Sequence, residues 1–291
     1  MASEIIPASE LIINDDNTAF HLHLSPDQLR DKVVICGDPG RVNMIAQNFD
    51  SIDFENTNRG YHSVAGTYKG KQILALSHGV GVGNIDIVVT ELDALANVDF
   101  KLRSVRATHR SLDIVRIGTS GALQPDLSIG TPVMAVKSIG FDGVLNFYAD
   151  RDKVADLGFE KAFTDFVHWH PTWPAPCVVD AHPDLVKRIG GDDFVHGTTI
   201  CSVGFYGPQG RKVRLALAHP ELNELMEKFE YNGYRITNYE MESAPLQGLA
   251  TLLGHKALTV CSIVAQRAKL EVNTHYKDGM ASLITAVLDR I

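Results

Sequence analysis

The chain has 291 residues, 45% of them hydrophobic, and its 35 acidic side chains outnumber 27 Lys and Arg to give a formal charge of -8. That excess argues against broad electrostatic binding to nucleic acid or anionic membranes and leaves small anions, held in a local basic pocket, as the expected charged ligands. No apolar run approaches the roughly 20 residues a spanning helix needs, and Met1-Ala2-Ser3-Glu4-Ile5-Ile6 lacks a basic region and cleavage site, so the cytoplasm is the expected compartment.

Short Val/Ile-rich runs alternate with amphipathic segments, the pattern of an α/β domain with a central sheet flanked by helices. Strands are expected at residues 32–36, 72–77, 112–117, 132–139, 198–203, 235–239 and 257–264. Helices are expected at residues 41–48, 84–97, 183–189, 220–231, 242–253 and 275–289. Several strands end in Gly, Ser, Thr or a charged residue, so their ends should form one chemically active rim. Residues 101–111 and 148–176 fit no element; they read as an insertion or lid, the second carrying the aromatic run from His168 to Pro174. No Pro/Gly/Ser-rich linker divides the chain, which favours one domain. Cys36, Cys177, Cys201 and Cys261 have no CxxC spacing and read as reduced core residues, and the pairs His21/His23 and His168/His170 lack the partners a metal site needs.

In chain order, the first chemical signal is Gly37-Asp38-Pro39-Gly40-Arg41, which follows an apolar strand and opens a helix. It suits a phosphate seat at a helix N-terminus or a plain strand-to-helix turn. Gly79-Val80-Gly81-Val82-Gly83-Asn84 precedes another helix but is not GxGxxG, so a dinucleotide site is not expected. Asp113-Ile-Val-Arg116-Ile-Gly118-Thr119-Ser120-Gly121 sets a guanidinium inside an apolar strand. A buried cation needs a partner, either a bound anion cradled by the following Gly, Thr and Ser or a carboxylate of the fold. Phe205-Tyr206-Gly207-Pro208-Gln209-Gly210-Arg211 offers an aromatic face, an amide and a guanidinium, a set that can read a flat heterocycle or be only a loop. Asn238-Tyr239-Glu240-Met241-Glu242-Ser243 runs a strand into a helix with two carboxylates, one expected to be structural and one to face the pocket, where it would accept sugar hydroxyls.

Phe20-His21-Leu22, Gly37-Asp38-Pro39-x-Arg41, Arg116-Ile-Gly-Thr-Ser-Gly121, Phe205-Tyr206, Gln209-x-Arg211 and Asn238 to Ser243 occur in the order seen in uridine phosphorylases. From Phe20 onward the chain resembles that branch of the nucleoside phosphorylase family. The first glycine motif and the Arg116 motif are shared with purine enzymes, whereas Gln209-x-Arg211 points to uracil. The resemblance implies a single-domain three-layer α/β/α fold with a mixed, partly barrel-like central sheet over residues 20–291, preceded by an extension at 1–19. It implies phosphate binding by Gly37, Arg41, Arg116 and Thr119, with Arg59 from a neighbouring subunit. Ribose would meet Met241 and Glu242, with His21 again supplied across the interface. Phe205, Gln209 and Arg211 would bind the base, supported by Arg267, and Arg116, Glu242 and Arg211 would be the catalytic groups.

The implied reaction is reversible phosphorolysis of uridine to uracil and ribose 1-phosphate in pyrimidine salvage, with phosphate as co-substrate, no cofactor or metal, and a homodimer or a hexamer of dimers sharing sites. Gly60 and Asn84 depart from bacterial relatives that carry Glu and Ser there, the base loop order is altered, and residues 101–111 look inserted. The alternatives are a purine or broad-specificity phosphorylase, disfavoured because Ser262 to Arg267 lacks the expected Asp; a nucleosidase, disfavoured by the three arginines; and a non-catalytic nucleoside-binding paralogue.

Overall fold

The computed structural model describes residues 5–267, 269–275 and 277–291. Its strands are β1 (Lys32–Cys36), β2 (Ser51–Asn58), β3 (Tyr61–Tyr68), β4 (Lys71–Ser77), β5 (Val98–Asp99), β6 (Ser104–Val105), β7 (Asp113–Ala122), β8 (Pro132–Gly140), β9 (Cys177–Asp180), β10 (Val195–Cys201), β11 (Glu230–Tyr231), β12 (Tyr234–Glu240), β13 (Lys256–Gln266) and β14 (Glu271–Val272). The helices are α1 (Pro39–Ala46), α2 (Val82–Asn97), α3 (Leu157–Phe166), α4 (Pro183–Ile189), α5 (Leu222–Lys228), α6 (Ser243–Leu252) and α7 (Lys277–Arg290).

The main sheet runs β11-β12-β10-β8-β13-β7-β1-β4-β3-β2. β12 also pairs antiparallel with β7 through Asn238 and Tyr239, which closes β7, β13, β8, β10 and β12 into a five-stranded mixed barrel. The expected mixed, partly barrel-like α/β fold is therefore present. β1 is buried on both faces and alternates between them. Val33 and Ile35 join the core beneath α2 and α6, while Val34 and Cys36 join the core beneath α1, α4 and α7. This is the continuous apolar patterning of a parallel strand covered on both sides. A third, aromatic core packs α3 and α5 against the barrel through Phe159, Phe163, Phe229 and Tyr239.

β1, β4, β7 and β13 run parallel, with Cys36 beside Ser77, Ile35 beside Arg116 and Thr259 beside Arg116. Their carboxyl ends therefore lie side by side. Two turns are locked locally: Asp38 caps α1 by accepting from Gly40 N at 2.8 Å with Pro39 in the first turn, and Asp156 caps α3 by accepting from Phe159 N at 3.0 Å.

The structure departs from the sequence expectation in several places, among them the strands β9 and β14, which were not expected. Residues 51–68, given no element above, form the hairpin β2 and β3. The 148–176 segment is only partly irregular, because it contains α3, whose Phe159 and Phe163 face the aromatic core. The helix expected over 220–231 spans only Leu222–Lys228 before the chain turns into β11. Residues 101–111 carry β6, paired with β5, and are tied down by Arg110 on Asp31 and by Asn97 on Arg110. The N-terminal segment also packs on the body: Ile6 N donates to Arg103 O, and Leu11 and Ile13 cover the core. All four cysteines are free and buried, as expected of reduced core residues.

Candidate active site

Arg116 is the centre of the rim. It projects from β7, is 4% exposed, and every one of its nitrogens has a partner. Nε donates to His78 Nε2 at 3.2 Å, Nη1 lies 3.0 Å from Glu240 Oε2 and contacts Cys261 Sγ, and Nη2 pairs with Glu242 Oε2. The guanidinium is thus held by carboxylates of the fold, and its burial alone does not demand a bound anion. The two carboxylates raise its already high pKa against the effect of burial. Gly118 is required beside it, since a Cβ there would collide with the Arg116 guanidinium and stand 2.8 Å from Cys261 Sγ.

The two glutamates differ in how they are held. Glu240 accepts from Glu242 N at 2.8 Å, from Ser243 N at 3.0 Å and from Ser243 Oγ at 2.5 Å, so it anchors the start of α6. Beyond Arg116, Glu242 is held by backbone donors alone, the Gly81 N–H on its Oε1 at 2.7 Å and the Met241 backbone. Burial pushes its carboxyl above the usual range, opposed by Arg116.

Arg41, in the first turn of α1, donates from Nη1 to Ile117 O at 3.1 Å and is 6% exposed. Among the described residues no carboxylate lies within salt-bridge distance of it. A buried guanidinium beside Arg116 therefore retains donors for an incoming anion. Gly37 sits where β1 meets β4, so that a Cβ there would stand 3.0 Å from Gly79 O. Thr119 is half-buried farther along β7. His78 was missed in the sequence. It is fully buried, and desolvation together with the neighbouring Arg116 keeps its pKa far below the ordinary histidine value, so it is a neutral acceptor. Its only sequence signal was its place directly after a strand.

Two further groups stand apart from Arg116. Phe205, Gln209 and Arg211 lie in a turn-rich loop: Arg211 stacks 3.8 Å from the Phe205 ring centroid, donates to Phe205 O at 2.6 Å and bonds Gln209 Oε1. Gln209 is buried, whereas Phe205 is 51% exposed. Burial, and repulsion from Arg267, bring the Arg211 pKa down to about 10. Arg267 follows β13, with its N donating to Ala122 O and its side chain over Gly121. A cavity of about 760 Å³ adjoins this loop, lined by Phe141, Trp169, Trp173, Tyr206, Arg211 and Leu222. The other group is Phe20, His21 and Arg59. Arg59, exposed at the β2–β3 turn, stacks 4.3 Å from the Phe20 ring, and Asn58 Nδ2 donates to the carbonyls of Phe20 and His21. Met241 is half-buried between the two glutamates.

The fold is thus an α/β protein with a barrel-closed mixed sheet, at whose carboxyl rim one buried arginine is paired and another has no carboxylate partner among the described residues. The family profile described as the phosphorylase superfamily matches residues 31–289, and the chain belongs to that superfamily. It is 28% identical over 265 residues to a uridine phosphorylase of Thermococcus kodakarensis, covering 88% of this chain and 80% of that one. It is 26% identical over 256 residues to a uridine phosphorylase of Haemophilus influenzae, covering 87% and 88%. The crystal structure of a Trypanosoma brucei nucleoside phosphorylase, described as showing uridine phosphorylase activity, superposes with a TM-score of 0.87 at 26% identity over 96% of this chain and 98% of that one. A uridine phosphorylase of Phytophthora capsici, 20% identical, shares the fold with a TM-score of 0.69 over 99% and 98% of the two chains.

Proposed function

We propose that this protein catalyses the reversible phosphorolysis of uridine to uracil and ribose 1-phosphate. The observation that carries the phosphate half is Arg41, a buried guanidinium with no carboxylate partner among the described residues, one strand from Arg116. The base half rests on Gln209 and Arg211 beside Phe205, a donor-acceptor pair next to an aromatic face, and on the uridine phosphorylases among the relatives.

In this reading phosphate lies against Gly37, Arg41, Arg116 and Thr119, with Arg59 from a second copy of the chain. The arginines fix the nucleophile beneath the sugar and lower the entropic part of the barrier. Glycosidic cleavage leaves positive charge on the ribose ring, which the phosphate compensates, and negative charge on uracil, which Arg211 and Gln209 stabilise at its carbonyl oxygens. Arg267 supports Arg211. Ribose rests on Met241 and Glu242, with His21 of a second copy closing the site.

Phosphate engages Arg116 by displacing one of its present partners. Glu242 is the exchangeable one, since Glu240 is held by three further hydrogen bonds that anchor the start of α6, whereas the Glu242 side chain caps nothing and is held besides Arg116 only by the Gly81 and Met241 backbone among the described residues. Released from Arg116, the Glu242 carboxylate accepts the ribose hydroxyls. The protein is then a homo-oligomer of at least two chains, active in the cytoplasm without an organic cofactor, with residues 20–291 as one phosphorylase domain and 1–19 as its extension. Among the described residues no helix is long and apolar enough to cross a membrane. Ultraviolet assays with uridine, thymidine and inosine, each with and without phosphate, test the reading: uridine is consumed only with phosphate, and preferential consumption of inosine would replace it with a purine enzyme.

A further inference from the structure

The buried carboxylate of Glu91 has no part in the reaction as described above. It lies on α2, its side chain is 9% exposed, and its hydrogen bonds among the described residues all come from one short segment of chain. His21 N reaches its two oxygens at 3.0 and 3.1 Å, Leu22 N reaches Oε2 at 2.9 Å, and His21 Nδ1 stands 2.6 Å from Oε1. A carboxylate offers only acceptors, so the imidazole nitrogen facing it must carry a proton. On the other side of the same peptide units Asn58 Nδ2 holds the carbonyls of Phe20 and His21 at 3.3 and 2.9 Å. The main chain of His21 is therefore clamped from both sides, while its ring remains one-third exposed.

We infer that Glu91 is a positioning residue: it fixes His21 as the Nδ1–H tautomer, so that Nε2 is presented outward as a hydrogen-bond acceptor for a substrate hydroxyl in the site of a second copy of this chain. The inference rests on the proposed function for what His21 meets, but the tautomer and the clamp stand on the geometry alone. A histidine free to take either tautomer would spend part of its time presenting Nε2–H, which can donate to a hydroxyl oxygen but cannot accept the hydroxyl proton. The long-range carboxylate removes that alternative before substrate arrives, which is preorganisation of the kind that lowers the cost of binding. Glu91 also stands on the helix whose preceding residue, Gly81, donates its N–H to Glu242. One rigid element therefore supports both ribose-directed groups.

The test has two arms on the full oligomeric protein. In the first, 15N NMR of histidine-labelled wild type, with His21 assigned by His21→Ala, reads the tautomer directly. Protonated Nδ1 with bare Nε2 at mildly alkaline pH is expected, and Nε2–H would overturn the inference whether or not uridine is a substrate. In the second, uridine KM, phosphate KM and kcat are measured for Glu91→Gln, Glu91→Asp, His21→Ala and the double variant His21→Ala/Glu91→Gln. Glu91→Gln is expected to raise uridine KM about 5- to 20-fold at unchanged phosphate KM, Glu91→Asp to recover part of that loss, and Glu91→Gln to add less than about 2-fold in the His21→Ala background. An equal penalty with and without the His21 ring would reduce Glu91 to a structural carboxylate. A wild type that turns over no uridine would instead sink the proposed function, leaving the NMR arm to decide the tautomer.

Discussion

The rim around Arg116 and the loop carrying Gln209 and Arg211 are built on opposite principles. At the rim, the polar groups sit within, at the end of or just beyond buried strands: Arg116 inside β7, Glu240 at the end of β12, His78 and Glu242 after β4 and β12. Arg116, Glu240, Glu242 and His78 are all under 5% exposed, and the fold itself supplies their partners. The loop has little regular structure beyond one short turn of helix at Gly207–Gln209, and Phe205, Tyr206, Val213 and Leu215 are between 51% and 85% exposed. A charge cluster assembled before ligand arrives suits a small anion whose position must be fixed. An exposed aromatic loop suits a flat base that is gripped only after it enters. The difference teaches that stability and ligand chemistry are joined at the paired Arg116 and separable at Arg41 and at the loop.

The largest effect should come from Arg116→Ala, which strands Glu240 and Glu242 without their shared cation. Chemical denaturation is expected to show a loss of about 3–5 kcal/mol, with phosphorolysis reduced below detection. Arg41→Ala removes a guanidinium whose one hydrogen bond among the described residues is to Ile117 O, so the same comparison sharpens: phosphate KM should rise about 30-fold or more while the unfolding midpoint barely moves. Equal stability losses in the two variants would erase the distinction between a paired and an anion-ready arginine. Gln209→Ala acts at the loop and is expected to raise uridine KM about 10-fold while leaving phosphate KM and thermal stability unchanged.

Subtler are the effects on Glu242. If phosphate displaces it from Arg116, saturating sulfate, an unreactive stand-in for phosphate, should tighten uridine binding by about 5-fold or more in calorimetry, and Glu242→Gln should abolish the coupling. Uridine affinity indifferent to sulfate would mean that Glu242 never leaves Arg116. Its pH signature follows from burial, which lifts its folded pKa above the ordinary 4.5. A raised folded pKa favours the protonated native form, so its contribution to stability is present below the ordinary value and is lost as pH rises through the folded one. Activity needs the carboxylate and should climb over that same window. The acid limb of kcat/KM is therefore expected above the normal carboxylate range in wild type and missing in Glu242→Gln.

Much of the rim was legible because Arg116 interrupts the apolar run from Ile114 to Ile117, and a charge in a buried strand is conspicuous without coordinates. The parallel strands were legible for a related reason, their continuous Val and Ile content. The β2–β3 hairpin was not, because Ser51–Asn58 is an edge strand with largely exposed polar residues and no clean apolar alternation. The helix Leu157–Phe166 was obscured by flanking irregular chain rich in aromatics, although its Phe159 and Phe163 lie at core spacing. Glu91 could not be read at all: its partners are 69 and 70 residues away, and nothing local marks a carboxylate that serves two distant backbone N–H groups and an imidazole. The division between Glu240 and Glu242 was visible as a pair, but which of them holds the helix start depends on hydrogen bonds that only the folded chain defines.

The most direct measurement is a 31P NMR time course of the purified protein with uridine and inorganic phosphate, run beside an ultraviolet record of uracil formation. Ribose 1-phosphate should accumulate in step with uracil, and neither should form when phosphate is omitted. Uracil released with free ribose in phosphate-free buffer, or phosphate left unconsumed while uridine disappears, would contradict a rim built to deliver phosphate to the sugar.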